Sequence, residues 1–201
     1  MTKSIATAVV LGACAAVGAY AQDQGNAQEN QPKMEVKEHV QFLGWNECVE
    51  LKNGDFRLIV TTDVGPRIIG GFLGASENIF RIDEKQVGKN FGAAEWASYG
   101  GHRFWHSPED KIRTNIPDNN KVEFKQLPCG GVSFIQQTEP VSWISKTVNI
   151  YPYGKNSFRI EHILRNDGMW GVELAPWALS VMATGGTAFV PQNQGDKTAL
   201  L

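Results

Sequence analysis

Cysteine is scarce in this chain, with Cys14, Cys48 and Cys129 the only three in 201 residues, too few and too far apart to define a disulfide framework. An excess of positive charge is missing as well. Nineteen Lys and Arg against 21 Asp and Glu leave a formal charge of −2, which offers no field for a phosphate backbone or an anionic lipid surface and argues against nucleic acid as a partner. There is no run of like charges, and no long segment carries apolar residues at the 3.6-residue spacing of a buried helical stripe. What remains is an ordinary globular balance, 42% hydrophobic and 20% charged, sufficient for one domain with its own core.

The N-terminus, MTKSIATAVVLGACAAVGAYAQDQG, has a cation at Lys3, an apolar and small-residue run from Ile5, and Ala19-Tyr20-Ala21 before polar Gln22-Asp23. This is the pattern of a cleaved secretory signal over residues 1–21, too weakly flanked and too rich in Ala and Gly for a membrane span. Leu11-Gly12-Ala13-Cys14 also resembles a lipoprotein signal, with Cys14 as a lipid anchor in place of simple cleavage. Either way the chain is expected to be exported, periplasmic or extracellular. Residues 22–33, QDQGNAQENQPK, are rich in Gln and Asn without apolar periodicity and read as a flexible leader. One domain is expected from Met34 to Leu201, in which Cys48 and Cys129 either pair or remain two buried thiols.

From Met34 on, short stretches rich in Val, Ile and Phe alternate with turn residues. CVELK (48–52), FRLIVTT (56–62), RIIGGFL (67–73), VEFKQL (122–127), GVSFIQQ (131–137), SKTVNIYPY (145–153), SFRIEHILRN (157–166), GVELAPWALSVM (171–182) and TAFVP (187–191) read as strands. Asn53-Gly54-Asp55 between the first two is a strong hairpin signal. Many short strands without crossover helices predict an all-β, mainly antiparallel sandwich or barrel. Residues 84–120 stand out as a long irregular connection, the kind of segment that often carries function.

Inside that segment lies YGGHRFWHSPE, residues 99–109. His102 and His106 have the H-x3-H spacing of two metal ligands on a helix, but Arg103 occupies the position where a zincin has its Glu, and Gly100, Gly101 and Pro108 leave little room for a helix. No metal and no other cofactor is therefore expected. If the segment is extended, His102, Phe104 and His106 share one face and Arg103 and Trp105 the other. Imidazoles that donate and accept, a guanidinium fork and a flat ring together suit a polyhydroxylated ligand; the alternative is that the rings are core and the histidines satisfy loop carbonyls. In RNDGMWGVELAPW (165–177) a turn precedes a strand carrying Glu173, either an edge charge or a cleft-facing carboxylate, and Pro176 restricts that strand to an edge or a bulge. Arg67 follows a Gly-Pro turn and opens a strand, from which it could reach a cleft or form a surface salt bridge.

Three strings, GWNECVELKNGDFRLIVTTDVGPRIIGGFLG, EWASYGGHRFWHSPED and LRNDGMWGVELAPWALSVMATGG, resemble the bacterial DUF4380 family of the galactose-mutarotase-like group, over about residues 44–191. The resemblance implies a large antiparallel supersandwich that binds carbohydrate on a concave face and, in the epimerases of the group, interconverts sugar anomers with a histidine acid and a glutamate base. It assigns sugar contacts to Arg67 and His102, and it places Glu173 where true epimerases carry a second histidine. It also implies that the fold continues beyond Leu201, so the domain is expected to be C-terminally incomplete. The expectation is an exported saccharide-binding protein with Arg67, His102, Arg103, Trp105 and His106 as ligand contacts and His102 and Glu173 as the catalytic pair if it is an aldose 1-epimerase-like enzyme; the alternative is a non-catalytic carbohydrate-binding or envelope accessory protein. A single concave site should then gather Arg67, His102, His106 and Glu173.

Overall fold

The computed structural model describes residues 5–9, 33–92 and 95–189. Alternation of apolar and polar residues through short segments produces strands, and every pair of neighbouring strands is antiparallel. The first sheet contains β1 (Ile5–Val9), β7 (Glu123–Gln126), β8 (Val132–Ile135), β9 (Ile144–Pro152) and β10 (Phe158–Asn166), in the order β1-β10-β9-β8-β7. The second contains β2 (Glu35–Phe42), β3 (Trp45–Asn53), β4 (Phe56–Thr61), β5 (Arg67–Leu73), β6 (Gly101–Ser107) and β11 (Ala175–Val181), in the order β11-β6-β5-β4-β3-β2. There is no helix among the described residues, and the chain is an all-β sandwich, as its composition of short strands predicts.

Each inner strand of the six-stranded sheet divides its side chains between two cores, because successive residues point to opposite faces. Leu58 and Val60 of β4, Ile68 of β5 and Phe104 of β6 pack between the sheets against Phe134, Val148 and Ile150 of the opposite sheet. Ile59 and Ile69, one residue along, face outward and join Trp45, Cys48, Val64, Ala97 and Tyr99 in a second core. Tyr99 and Ala97 belong to the connection that follows β5, so this connection acts as a third layer over the outer face of the sheet. Full burial of each such side chain contributes roughly 1.5–3 kcal/mol, which explains why an otherwise irregular segment is fixed.

Asn53 pairs with Phe56, so Gly54-Asp55 is the two-residue hairpin loop that the sequence predicts. Pro176 sits on β11, the edge strand of its sheet, the position a residue without a backbone donor tolerates. Three expectations need correction. The stretch 84–120 is not one irregular connection, because β6 crosses it. A φ of +90° at Gly100 and +72° at Gly101 lets the backbone press against its neighbours; a Cβ there would stand 2.1 Å from the Arg81 carbonyl oxygen and 2.2 Å from that of Ile68. Glu173 lies two residues before β11 and not on the strand, since the side chain of Asn166 bonds the Gly168 amide and the Trp170 carbonyl and holds the chain in a bend. Residues 187–189 form no strand, and the rest of TAFVP is outside the described residues. Strand β2 carries mostly exposed side chains and was not anticipated.

Strand β1 falls inside the segment read as a secretory signal and pairs with β10, Ile5 opposite Arg165 and Val9 opposite Glu161. The remainder of that segment, including Cys14, and the leader up to residue 32 lie outside the described residues. Cys48 is buried and Cys129 exposed, and neither is in a disulfide; burial first, with the Asp63 charge adding, pushes the Cys48 thiol up to about 12. No described helix is long and apolar enough to cross a membrane.

Candidate functional site

Strand β6 is extended, so its side chains separate as a two-residue period demands. Arg103 and Trp105 point to the outer layer, and His102, Phe104 and His106 to the space between the sheets. Arg67 joins the outer group. Its Nη2 lies 2.5 Å and the Nη2 of Arg103 3.0 Å from the same oxygen of Asp118, with all three side chains nearly inaccessible to solvent. Arg67 also donates to the carbonyls of Ser98 and Ala97 and stacks on Tyr99, while Arg103 stacks between Trp96 and Trp105. Burial raises the Asp118 pKa, but the two guanidiniums outweigh it and leave the carboxyl below its ordinary value. The same burial lowers Arg103 to about 10 despite Asp118. Two cations on one buried carboxylate pin the outer layer to β5 and β6, and Arg67 and Arg103 are thus occupied in packing.

On the inner face, His102 sits in a closed arrangement. Its Nδ1 is 2.7 Å from the Ser180 hydroxyl of β11, and its Nε2 is 2.8 Å from Nε2 of His162 on β10. One ring donates and the other accepts, so the accepting ring is neutral. Burial lowers each to about 4, and for His102 the His162 charge adds to it. The pair ties the two sheets together, and Phe104 packs on His162 at 4.7 Å between ring centroids.

His106, four residues along β6, is placed differently. It forms part of the wall of a cleft of about 330 Å³ at the end of the sandwich, lined also by Pro108, Arg113, Ser142, Ile144 and residues 171–174, including Glu173. His106 is 3% exposed with both ring nitrogens shut off from solvent, and among the described residues neither meets a partner at full hydrogen-bond geometry, although the Arg113 carbonyl approaches the ring. Burial lowers its pKa; nearby Glu139 and the Arg113 carbonyl favour the charged form without prevailing. Behind the cleft, Lys146 Nζ lies 2.5 Å from Glu139 Oε1, both side chains almost fully buried, and the Ser142 hydroxyl donates to Glu139 Oε2. With its hydrogen committed there and the Ile144 amide donating to it at 3.3 Å, Ser142 keeps one acceptor lone pair for the cleft. Arg113 is mostly exposed and held only at 3.5 Å by Asp110, so its guanidinium is free to turn to a ligand.

Of the residues the sequence singles out, then, the structure brings His106 and Glu173 to one cleft. It does not bring Arg67, Arg103 or Trp105 there, since these lie on the opposite face of the sheet, nor His102, whose two nitrogens are engaged elsewhere. The pairing of His102 with Glu173 as acid and base is not formed. Arg113, Ser142, Glu139, Lys146, Asp118 and His162 escaped the sequence reading. Two left a signal: Lys146 alternates with Val148 and Ile150, and His162 with Ile160 and Leu164, placing a polar residue on the apolar face of each strand. Among the described residues no three His, Cys, Asp or Glu side chains are grouped to hold a metal ion. No family model, curated protein or solved structure matches the chain.

Proposed function

We propose that the protein binds a saccharide in the cleft formed by His106, Arg113, Ser142 and Glu173, and that it does so as an exported protein of the mutarotase-like type. The observation that carries this reading is the His106 ring, buried without a well-formed hydrogen bond among the described residues on the wall of a cleft that also bears a carboxylate. Leaving a buried donor or acceptor unsatisfied costs about 1–3 kcal/mol, and a ligand hydroxyl that accepts from the ring N–H or donates to the bare nitrogen removes that cost at one of the two. A neutral imidazole, a carboxylate acceptor, an exposed guanidinium donor and the remaining Ser142 lone pair complement a vicinal diol. The volume lies at the small end of ligand pockets, about 300–1,000 Å³, which suits one sugar ring.

Binding without catalysis is the simpler form of this function. An epimerase form would need the pair to carry one proton between them, with His106 as imidazolium giving it to the ring oxygen while Glu173 takes the proton from the C1 hydroxyl, so that ring opening, rotation and reclosure could follow; burial works against that charged imidazole, which favours the binding form. In this form His106 replaces His102 as the imidazole. Calorimetry with glucose, galactose, mannose and N-acetylglucosamine tests binding, with His106→Ala and Glu173→Gln expected to weaken it tenfold or more. Anomer exchange followed by NMR on the same sugars separates the two forms. No sugar binding to a folded protein by any of these measures would refute the proposal.

A further inference from the structure

The cleft opens between two surface segments that leave large aromatic rings bare. Trp143 lies between the cleft-lining residues Ser142 and Ile144 and is 57% exposed; Trp170 precedes Gly171, which also lines the cleft, and is 79% exposed, with Met169 beside it at 90%. Large apolar groups exposed together on a protein surface often mark a binding site.

These rings are not on loose chain. The Asp167 amide donates to the Trp143 carbonyl at 2.8 Å, Thr138 donates to the Asp167 carboxylate, and Arg165 Nε reaches the same carboxylate at 2.7 Å. Asn166 Nδ2 donates to the Trp170 carbonyl at 2.7 Å. The two segments are therefore laced to each other through polar groups, with the tryptophans outside the lacing. Trp143 is moreover held at φ +56°, a left-handed conformation that is costly for a bulky side chain. Rigid aromatic rings on a polar frame beside a one-ring cleft match the alternating polar edges and apolar C–H faces of linked sugars. An isolated sugar filling the cleft would leave both rings bare.

From this geometry we infer that the ligand is the end of an oligosaccharide chain, with its terminal ring in the cleft and the next residues laid across Trp143 and Trp170. This rests on the proposed saccharide cleft and deepens it. The apolar rim supplies affinity for the chain, and the polar cleft reads its terminal residue.

Calorimetry on the full chain tests this with glucose, galactose, mannose and N-acetylglucosamine against α- and β-linked trisaccharides of each. The expected result is that one trisaccharide binds at least tenfold more tightly than its monosaccharide. Trp143→Ala and Trp170→Ala should each remove most of that gain, as expected for covering on the order of 60 Å² of ring face, and leave monosaccharide affinity unchanged. Both rings are exposed, so the variants retain the fold, which denaturation midpoints verify. Equal affinity for monosaccharide and trisaccharide, unaffected by the tryptophan variants, overturns the inference while leaving the cleft proposal standing. Loss of self-association or of protein binding in the variants, with glycan affinity unchanged, overturns it in favour of a protein contact. Absence of any sugar binding overturns both.

Discussion

Replacing Asp118 by Asn should be among the most damaging isosteric changes in the chain. The carboxylate is shared by Arg67 at 2.5 Å and Arg103 at 3.0 Å in a site closed to water. Removing one partner of a buried ion pair typically costs 3–5 kcal/mol, because the other charge stays buried without compensation. Here two guanidiniums lose the one anionic partner they have among the described residues. Arg67 keeps two carbonyl contacts and both cations keep their aromatic neighbours, so the loss should fall near about 4 kcal/mol and not at twice that. Against a total stability of about 5–15 kcal/mol, this leaves a marginal fold. Urea denaturation followed by tryptophan fluorescence reads it directly: with a slope of about 2 kcal/mol/M, the midpoint should drop by about 2 M. A loss under about 1 kcal/mol would show that the arginines are not held by Asp118, and would return Arg67 and Arg103 to the set of groups available to a ligand.

The His102–His162 pair predicts a pH effect of definite sign. Both folded-state values are lowered from 6.5 to about 4, so the unfolded chain binds more protons between these limits. Stability is then fully present above about pH 7 and falls as the pH drops through 6.5 toward 4, by on the order of 2–4 kcal/mol at pH 5 for the pair; equal urea midpoints at pH 7 and pH 5 would contradict this. Lys146→Met should cost about 3–5 kcal/mol by stranding the Glu139 carboxylate, and the double change Lys146→Met with Glu139→Leu should recover most of it; a double variant as unstable as the single one would show that the pair is not the cause. Thiol labelling of the native chain, read by peptide mapping, should modify exposed Cys129 rapidly and leave buried Cys48 untouched until the fold opens. Equal rates at the two would mean the outer core around Cys48 is not closed.

Strand pattern made the architecture legible, because period-two alternation and turn residues act locally. β5 coincides with RIIGGFL, and the Asn-Gly-Asp hairpin forms where it should. The functional residues were harder to sort. The sequence placed His102 and His106 on one face and Arg103 on the other, and β6 bears this out. It could not show that the outer face of β6 is roofed by its own flanking connection, so Arg103 and Arg67 looked available when they are buried. That roof depends on Asp118, fifteen residues beyond Arg103, and such a distant partner leaves no trace in local spacing. Nor could periodicity distinguish His102 from His106, since the difference lies in what surrounds each ring: a second imidazole, His162, in one case, and the wall of a cleft in the other. The strongest local hint was the pair of polar residues, Lys146 and His162, on otherwise apolar strand faces.

Saccharide recognition by the cleft is tested most directly at the His106 imidazole itself. Ring nitrogen shifts of isotopically labelled histidines, recorded by NMR during titration with the monosaccharides and trisaccharides named above, should move for His106 and saturate with the calorimetric affinity. The rings of His102 and His162, already bonded to each other, should keep their shifts. Saturable sugar binding that leaves His106 unmoved, or that perturbs the side chains of Arg67 and Arg103 instead, would contradict a binding site in the cleft.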